Sequence, residues 1–242
     1  MSELEKIKIK FDKIDPQKWW GDNFDIRFYL IRMVQKIKNS IVVDVGGGIG
    51  IILSELDESN FRINVDFSFD DLKRCQKEFY KIENVCSTMN HLPFKTTSIH
   101  YVICANLLEV AKTIDLKIDN TFVKDEKVYY KTVIQTLKGI NTILQNRGRM
   151  YLTTPNNRYY KTTKLEYDEL NNSLSMVFYN FSIKFFNTFS KMTQKYRKLN
   201  LANIMPKILS KISNREKVLN SLVKENVSDR YSVSFFVEAE KS

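Results

Sequence analysis

The stretch Ile41-Val42-Val43-Asp44-Val45-Gly46-Gly47-Gly48-Ile49-Gly50 decides the fold. Its β-branched opening, Ile41, Val42, Val43 and Val45, reads as a buried strand. Glycines then fill three alternate positions, Gly46, Gly48 and Gly50. Glycine tolerates positive φ and lets a ligand come close to the main chain. Ile51, Ile52, Leu53 and Leu56 open a helix whose first N–H groups favour an anionic or electron-rich ligand. A strand, a glycine turn, a helix, and then an acid (Asp66) ending the next strand make a nucleotide-type site. A dinucleotide fingerprint needs G-x-G-x-x-G, and Ile51 stands where its third glycine belongs. A P-loop is excluded because no Gly-Lys-Ser/Thr follows.

Moving outward, Ile63 to Ser68 alternates apolar and polar residues and places Asp66 20 residues after Gly46. At that distance a doubly wound fold brings a carboxylate to a ribose diol. A carboxylate accepts two hydroxyl hydrogen bonds at once. Ser68 reads as the cap of a helix starting near Phe69. Asp66 could share that capping role, and the two readings are compatible. Phe67 is expected against the adenine.

The glycine turn, with Asp44 two residues before its first glycine, resembles the first motif of class I S-adenosylmethionine (SAM)-dependent methyltransferases. Three later segments, Asn90–Phe94 (NHLPF), Ile99–Val110 (IHYVICANLLEV) and Leu144–Asn156 (LQNRGRMYLTTPN), follow in the order seen in small-molecule methyltransferase families. The resemblance covers Ile41 to Asn156. It implies SAM as cofactor, no metal, and a doubly wound, mostly parallel seven-stranded α/β sheet (Rossmann-like) closed by a hairpin of the last two strands. It assigns Asp44, Gly46, Gly47, Gly48, Gly50, Asp66, Phe67, Thr88, Met89 and Asn106 to the cofactor. The chain departs from the family pattern at three places. The acid usual four residues before the leucine of "LPF" is Thr88, leaving Thr88 and the backbone around Met89 beside the adenine amino group. "Ser-Phe-Asp" reads Ser98-Ile99-His100. "Leu-Glu-His" reads Leu108-Glu109-Val110, so any base role tied to that histidine is in doubt.

With 242 residues and 43% hydrophobic content, the chain can bury one good core. We expect a single methyltransferase domain: a helical cap over 1–38, a SAM-binding core over 39–156, and an acceptor side with the closing hairpin over 157–242. Cys75, Cys86 and Cys104 form neither a zinc pattern nor an even disulfide set, which suits a reducing, cytoplasmic compartment. Two of them stand in apolar contexts, where a buried free thiol is ordinary. The charged opening MSELEKIKIK carries no apolar core of a signal peptide, and no uncharged apolar run reaches ~18 residues. Net charge is +10. It is concentrated between Ser182 and Lys224, where ten basic residues face one acid, Glu216.

Strands are expected near Ile41–Val45, Arg62–Asp66, Val85–Thr88, Ile99–Ala105, Arg149–Thr153, Asn180–Thr188 and Ser232–Ala239. Helices are expected near Asn23–Ile37, Ile49–Leu56, Asp70–Lys81, Val128–Leu144 and Tyr167–Leu174, with a basic helical insert over about 190–224. In the first helix, Phe24, Phe28, Ile31 and Val34 or Met33 form the apolar face. Strand–helix alternation implies a parallel sheet with helices on both faces.

Ligands of open parallel sheets bind outside the carboxyl ends of the strands. Gly46–Gly50, Asp66, Thr88, Met89, Asn106 and Thr154–Asn156 fall there; His100, at the opposite edge, reads as structural, and His91 as a surface or packing residue. Glu109 and Asn106 are the acceptor-side catalytic candidates, and the alternative for Glu109 is a helix-start acid. Trp19, Trp20 and Tyr29 could cover the pocket, with Tyr29 better explained as packing.

Two functions compete. The first is methyl transfer to a small-molecule or lipid- or glycan-linked acceptor, with the insert (Lys207, Lys211, Arg215 beside Leu201, Ile204, Ile208) lying on an anionic membrane surface. The second is an RNA-directed methyltransferase or a non-catalytic SAM-binding module that uses the same cations. The bland alternative for the insert is a core-facing helix with a solvated basic face. The acceptor atom and the oligomeric state stay open.

Overall fold

The computed structural model describes residues 24–108, 126–156, 165–186 and 234–242. Over these residues the helices are α1 (Phe24–Val34), α2 (Ile51–Ser54), α3 (Phe69–Glu78), α4 (Glu126–Ile143) and α5 (Tyr167–Ser175). The strands are β1 (Ile41–Val45), β2 (Phe61–Asp66), β3 (Glu83–Cys86), β4 (Ile99–Ala105), β5 (Leu144–Pro155), β6 (Asn180–Phe186) and β7 (Ser234–Glu240). They form one seven-stranded sheet in the order β3-β2-β1-β4-β5-β7-β6. β1 to β5 run parallel, and β7 pairs antiparallel with both β5 and β6. The expected mostly parallel sheet with a closing hairpin is therefore present.

Period-2 alternation along each strand divides the interior in two. On one face, Val43, Val45, Val102, Cys104, Met150, Leu152, Phe235 and Val237 pack against Leu137 and Ile140 of α4 and Leu170 and Leu174 of α5. On the other, Val42, Ile103, Tyr151 and Phe236 pack against Ile26, Leu30 and Val34 of α1, Ile52 and Leu53 of α2, and Cys75 of α3. Strand order reverses at β1, which has β2 on one side and β4 on the other. A crevice for ligands opens at the carboxyl ends of the strands at that point.

Several elements differ from the expectation. α1 buries Ile26, Leu30 and Val34, spaced by four, while Ile31 is only half-buried; the side chains of Phe24 and Phe28 lie outside the described ones. Val34 was expected on the apolar face, and Ile26 and Leu30, at the same helical spacing, join it there. α2 is a single turn, because Glu55 N and Leu56 N already bond to Ile52 O and Leu53 O, the three-residue spacing that tightens and ends a helix. Its N-terminus is therefore a few local N–H groups rather than a long dipole. β3 ends at Cys86, so Thr88 stands in the following loop. β5 begins five residues early, at Leu144, with Arg147 at φ 63° and a register irregularity between Ile99 and Tyr101. No described helix is long and apolar enough to cross a membrane.

Candidate functional site

The glycine turn is built by β1 and tied down by β2. Gly46 N donates to Val65 O at 2.7 Å and Gly50 N to Gly47 O at 2.9 Å. A Cβ on Gly47 would come within 2.3 Å of Asn64 Oδ1 and 2.9 Å of the Asp44 carboxylate, so no side chain fits there. Gly48 is the opposite case. At φ +55° it sits in the left-handed region, and a Cβ there would meet nothing within 4 Å. The turn is therefore closed on its inner side at Gly47 and open at Gly48, a cradle in which a ligand can reach the main chain. Gly46 and Gly50 share the positive φ and complete the turn.

Asp66, at the carboxyl end of β2, is buried and uses both carboxylate oxygens. Oδ2 accepts from Gly48 N and Oδ1 from Ser68 N, each at 2.8 Å. Ser68 caps α3, its Oγ accepting from Asp71 N at 3.3 Å, as its place in the sequence predicted. Phe67 is half-buried in the bend between them.

Beyond β3, Ser87 N donates to Asp66 O at 3.0 Å and joins that loop to β2. Thr88 Oγ1 lies 3.2 Å from His91 Nδ1, and His91 N donates to Thr88 O at 3.1 Å. His91 therefore shapes the turn while remaining exposed. Met89 buries its side chain in the core, so its contribution to the crevice is backbone. His100 is structural: its Nδ1 accepts from Ile41 N at 3.1 Å, at the edge opposite the crevice.

Asn106 follows β4 with φ +55°, which asparagine tolerates better than most side chains. Its N–H donates to Thr153 O at 2.8 Å, and its Oδ1 accepts from Thr153 Oγ1 at 3.3 Å. Its Nδ2 is buried without a hydrogen-bond partner among the described residues, as are Thr154 Oγ1 and Ser234 Oγ nearby on β5 and β7. Buried polar atoms rarely stay unpaired, and their presence at the strand ends suits a site that hydrogen-bonds a guest. Together these features fit an adenosyl group: a carboxylate for a diol, an open glycine turn and spare polar atoms.

Glu109, Trp19, Trp20 and most of the basic segment, from 187 to 224, lie outside the described residues. Tyr29 packs edge-on to Phe236, with ring centroids 4.9 Å apart, as expected of a packing residue. Among the described residues no cluster of His, Cys, Asp or Glu could hold a metal. Cys75 and Cys104 are buried and Cys86 is exposed. Burial first, then the nearby Asp44 charge, pushes the Cys104 thiol far up, so it is an inert core group.

Sequence reasoning missed Asn64. It is wholly buried beneath the turn, and its Nδ2 donates to Gly48 O at 2.8 Å. The polar position in INVDFS was the available signal.

The sheet order, the closing hairpin and a glycine turn facing Asp66 define a class I methyltransferase fold. Residues 43–122 match the family model described as "Methyltransferase domain". It is 24% identical over 164 residues to an uncharacterised protein of Methanocaldococcus jannaschii, the match taking in 63% of this chain. The match spans 62% of that relative's length. Its fold is similar to a SAM-dependent methyltransferase of Thermotoga maritima, with TM-score 0.56, 14% identity, and 93% and 94% of the two chains covered. It is also similar to phosphoethanolamine N-methyltransferase 2 of Haemonchus contortus in complex with SAM, with TM-score 0.57 and 14% identity, covering 89% of this chain and 52% of that one.

Proposed function

We propose that this chain transfers the methyl group of SAM to a small-molecule or lipid- or glycan-linked acceptor. The observation that carries the reading is the glycine turn, closed at Gly47 and open at Gly48, with Asp66 bonded to its Gly48 N–H. SAM, when bound, supplies an electrophilic methyl on a sulfonium. The chain's own residues position and desolvate the reactants. Asp66 takes the ribose hydroxyls, Phe67 lies on the adenine, and Thr88 with the Met89 backbone meets its amino edge. The main chain of Gly46, Gly47, Gly48 and Gly50 admits the rest of the cofactor above Asp44. Asn106 offers its amide N–H to the methionine end or the acceptor, and Glu109, from its place in the sequence after β4, is our candidate for contacting the acceptor. The family match and the similarity to a SAM-bound enzyme support this cofactor.

The cation-rich sequence between Ser182 and Lys224 supports docking beside a polyanion, which we read as an anionic membrane surface presenting a lipid-linked acceptor. RNA is the competing partner. Calorimetry tests the cofactor: SAM and S-adenosylhomocysteine bind and NAD does not, while NAD binding without SAM overturns the reading. A metabolite screen with labelled SAM identifies the acceptor. Liposome flotation set against an RNA gel shift separates the two surfaces.

A further inference from the structure

We propose that Asn64 is a positioning residue, holding the Gly48 carbonyl so that the glycine turn keeps the shape the cofactor requires. This deepens, and rests on, the SAM reading of the same site.

Asp44, Asn64 and Asn84 stand abreast on β1, β2 and β3, in register, on the face that carries α2 and α3. A parallel strand covered on both faces normally places apolar residues there, because an amide loses its water on burial. Asn64 is 0% exposed; its Nδ2 recovers hydrogen bonds inside the protein, while its Oδ1 has no partner among the described residues. Its Nδ2 donates to Gly48 O at 2.8 Å and to Asn84 Oδ1 at 3.3 Å, and Asn84 Nδ2 donates to Ile82 O at 3.1 Å.

Asp66 lies two residues on, on the same side of β2. It accepts from Gly48 N at 2.8 Å. Two β2 side chains therefore grip one residue from both ends, Asp66 its N–H and Asn64 its C=O. Gly48 is the residue held at φ +55°, with open space on its outer side. Packing does not hold it from outside, so the hydrogen bonds must. Asn64 lies beneath the turn, its Oδ1 against Gly47, and reaches the ligand only through Gly48.

The test compares Asn64→Leu, which keeps the branching at Cγ and removes the donor, with Asn84→Ala, which removes only the far end of the row. Calorimetry with S-adenosylhomocysteine is expected to show Asn64→Leu ~10-fold weaker, the worth of about one net hydrogen bond. Asn84→Ala is expected to stay within ~2-fold, since its contact with Asn64 is the longer one. Hydrogen exchange on the unliganded proteins is expected to speed up at the amides of residues 48–51 in Asn64→Leu, with β2 and β4 still protected. Should Asn64→Leu not fold, Asn64→Ser, too short to reach the carbonyl, replaces it in both assays. A folded variant with wild-type affinity, or with unchanged exchange at the turn, overturns the proposal. Wild-type protein that fails to bind S-adenosylhomocysteine overturns the cofactor reading instead, and the exchange experiment still judges Asn64.

Discussion

Gly47 and Gly48 are neighbours with opposite surroundings, and they predict opposite phenotypes. Alanine at Gly47 drives a methyl into Asn64 Oδ1 and the Asp44 carboxylate, both on buried side chains. Overpacking of this kind costs ~1–3 kcal/mol, so Gly47→Ala is expected to lower the urea midpoint clearly. Alanine at Gly48 finds space but must hold φ +55°. It costs only ~1–2 kcal/mol of stability and projects into the side where the ligand approaches, so Gly48→Ala is expected to fold and to lose SAM binding by calorimetry. Wild-type SAM affinity in Gly48→Ala would remove the distinction between a closed and an open side. Asp66 joins the two roles. Asp66→Ala releases both the Gly48 and the Ser68 N–H groups and removes the ribose acceptor, with an expected loss of ~1.5–3 kcal/mol in SAM affinity. Unchanged affinity would put the ribose elsewhere.

At the scale of the element, α3 is the cleanest case of sequence dictating structure. Ser68 caps it, Asp70 and Asp71 fill its first turn, and Lys77 stands in its last, all favourable to the helix dipole. Ser68→Ala is expected to cost ~1 kcal/mol, read as a drop in the denaturation midpoint with little change in its slope. The order β1, turn, β2, α3 was legible for the same reason: β-branched runs, glycines and caps are local signals. The long β5 was not, because a helix expected to end at Leu144 and a strand expected from Arg149 left Gln145-Asn146-Arg147-Gly148 unassigned between them. Pairing of Leu144 with Ile99 extends the strand through it, and Gly148 lies where a Cβ would crowd the His100 and Ile99 carbonyls. On α1 the expected Val34 is buried, but Ile26 and Leu30 pack beside it where Ile31 was expected, because both sets share helical spacing and only contact with the sheet selects between them. Asn64 escaped notice because a polar residue in an alternating strand suggests a solvent face. That rule fails in a sheet covered on both sides, where the glycine turn itself supplies the partner.

Across the whole molecule, the face under α1 carries an aromatic row that crosses the sheet: Tyr101 on β4, Tyr151 on β5, Phe236 on β7 and Tyr29 on α1. Tyr151 is its buried centre. Burial, reinforced by the Glu238 carboxylate and Tyr101, pushes the Tyr151 phenol up to about 12 from its usual 10.0. The consequence for stability has a definite sign. Above pH 10 the unfolded chain gives up this proton while the folded chain keeps it. The unfolded state then binds fewer protons, and stability falls as pH rises. The contribution is complete below the unfolded value and disappears as pH passes the folded one, a window from 10.0 to about 12. Urea midpoints measured through that window are expected to fall more steeply for the wild type than for Tyr151→Phe, which keeps the ring and removes the titrating group. Other groups that ionise at high pH are common to both proteins and cancel in the comparison. Parallel slopes would show that the phenol reaches water, and that the row is looser at β5 than its stacking on Tyr101 and Phe236 requires.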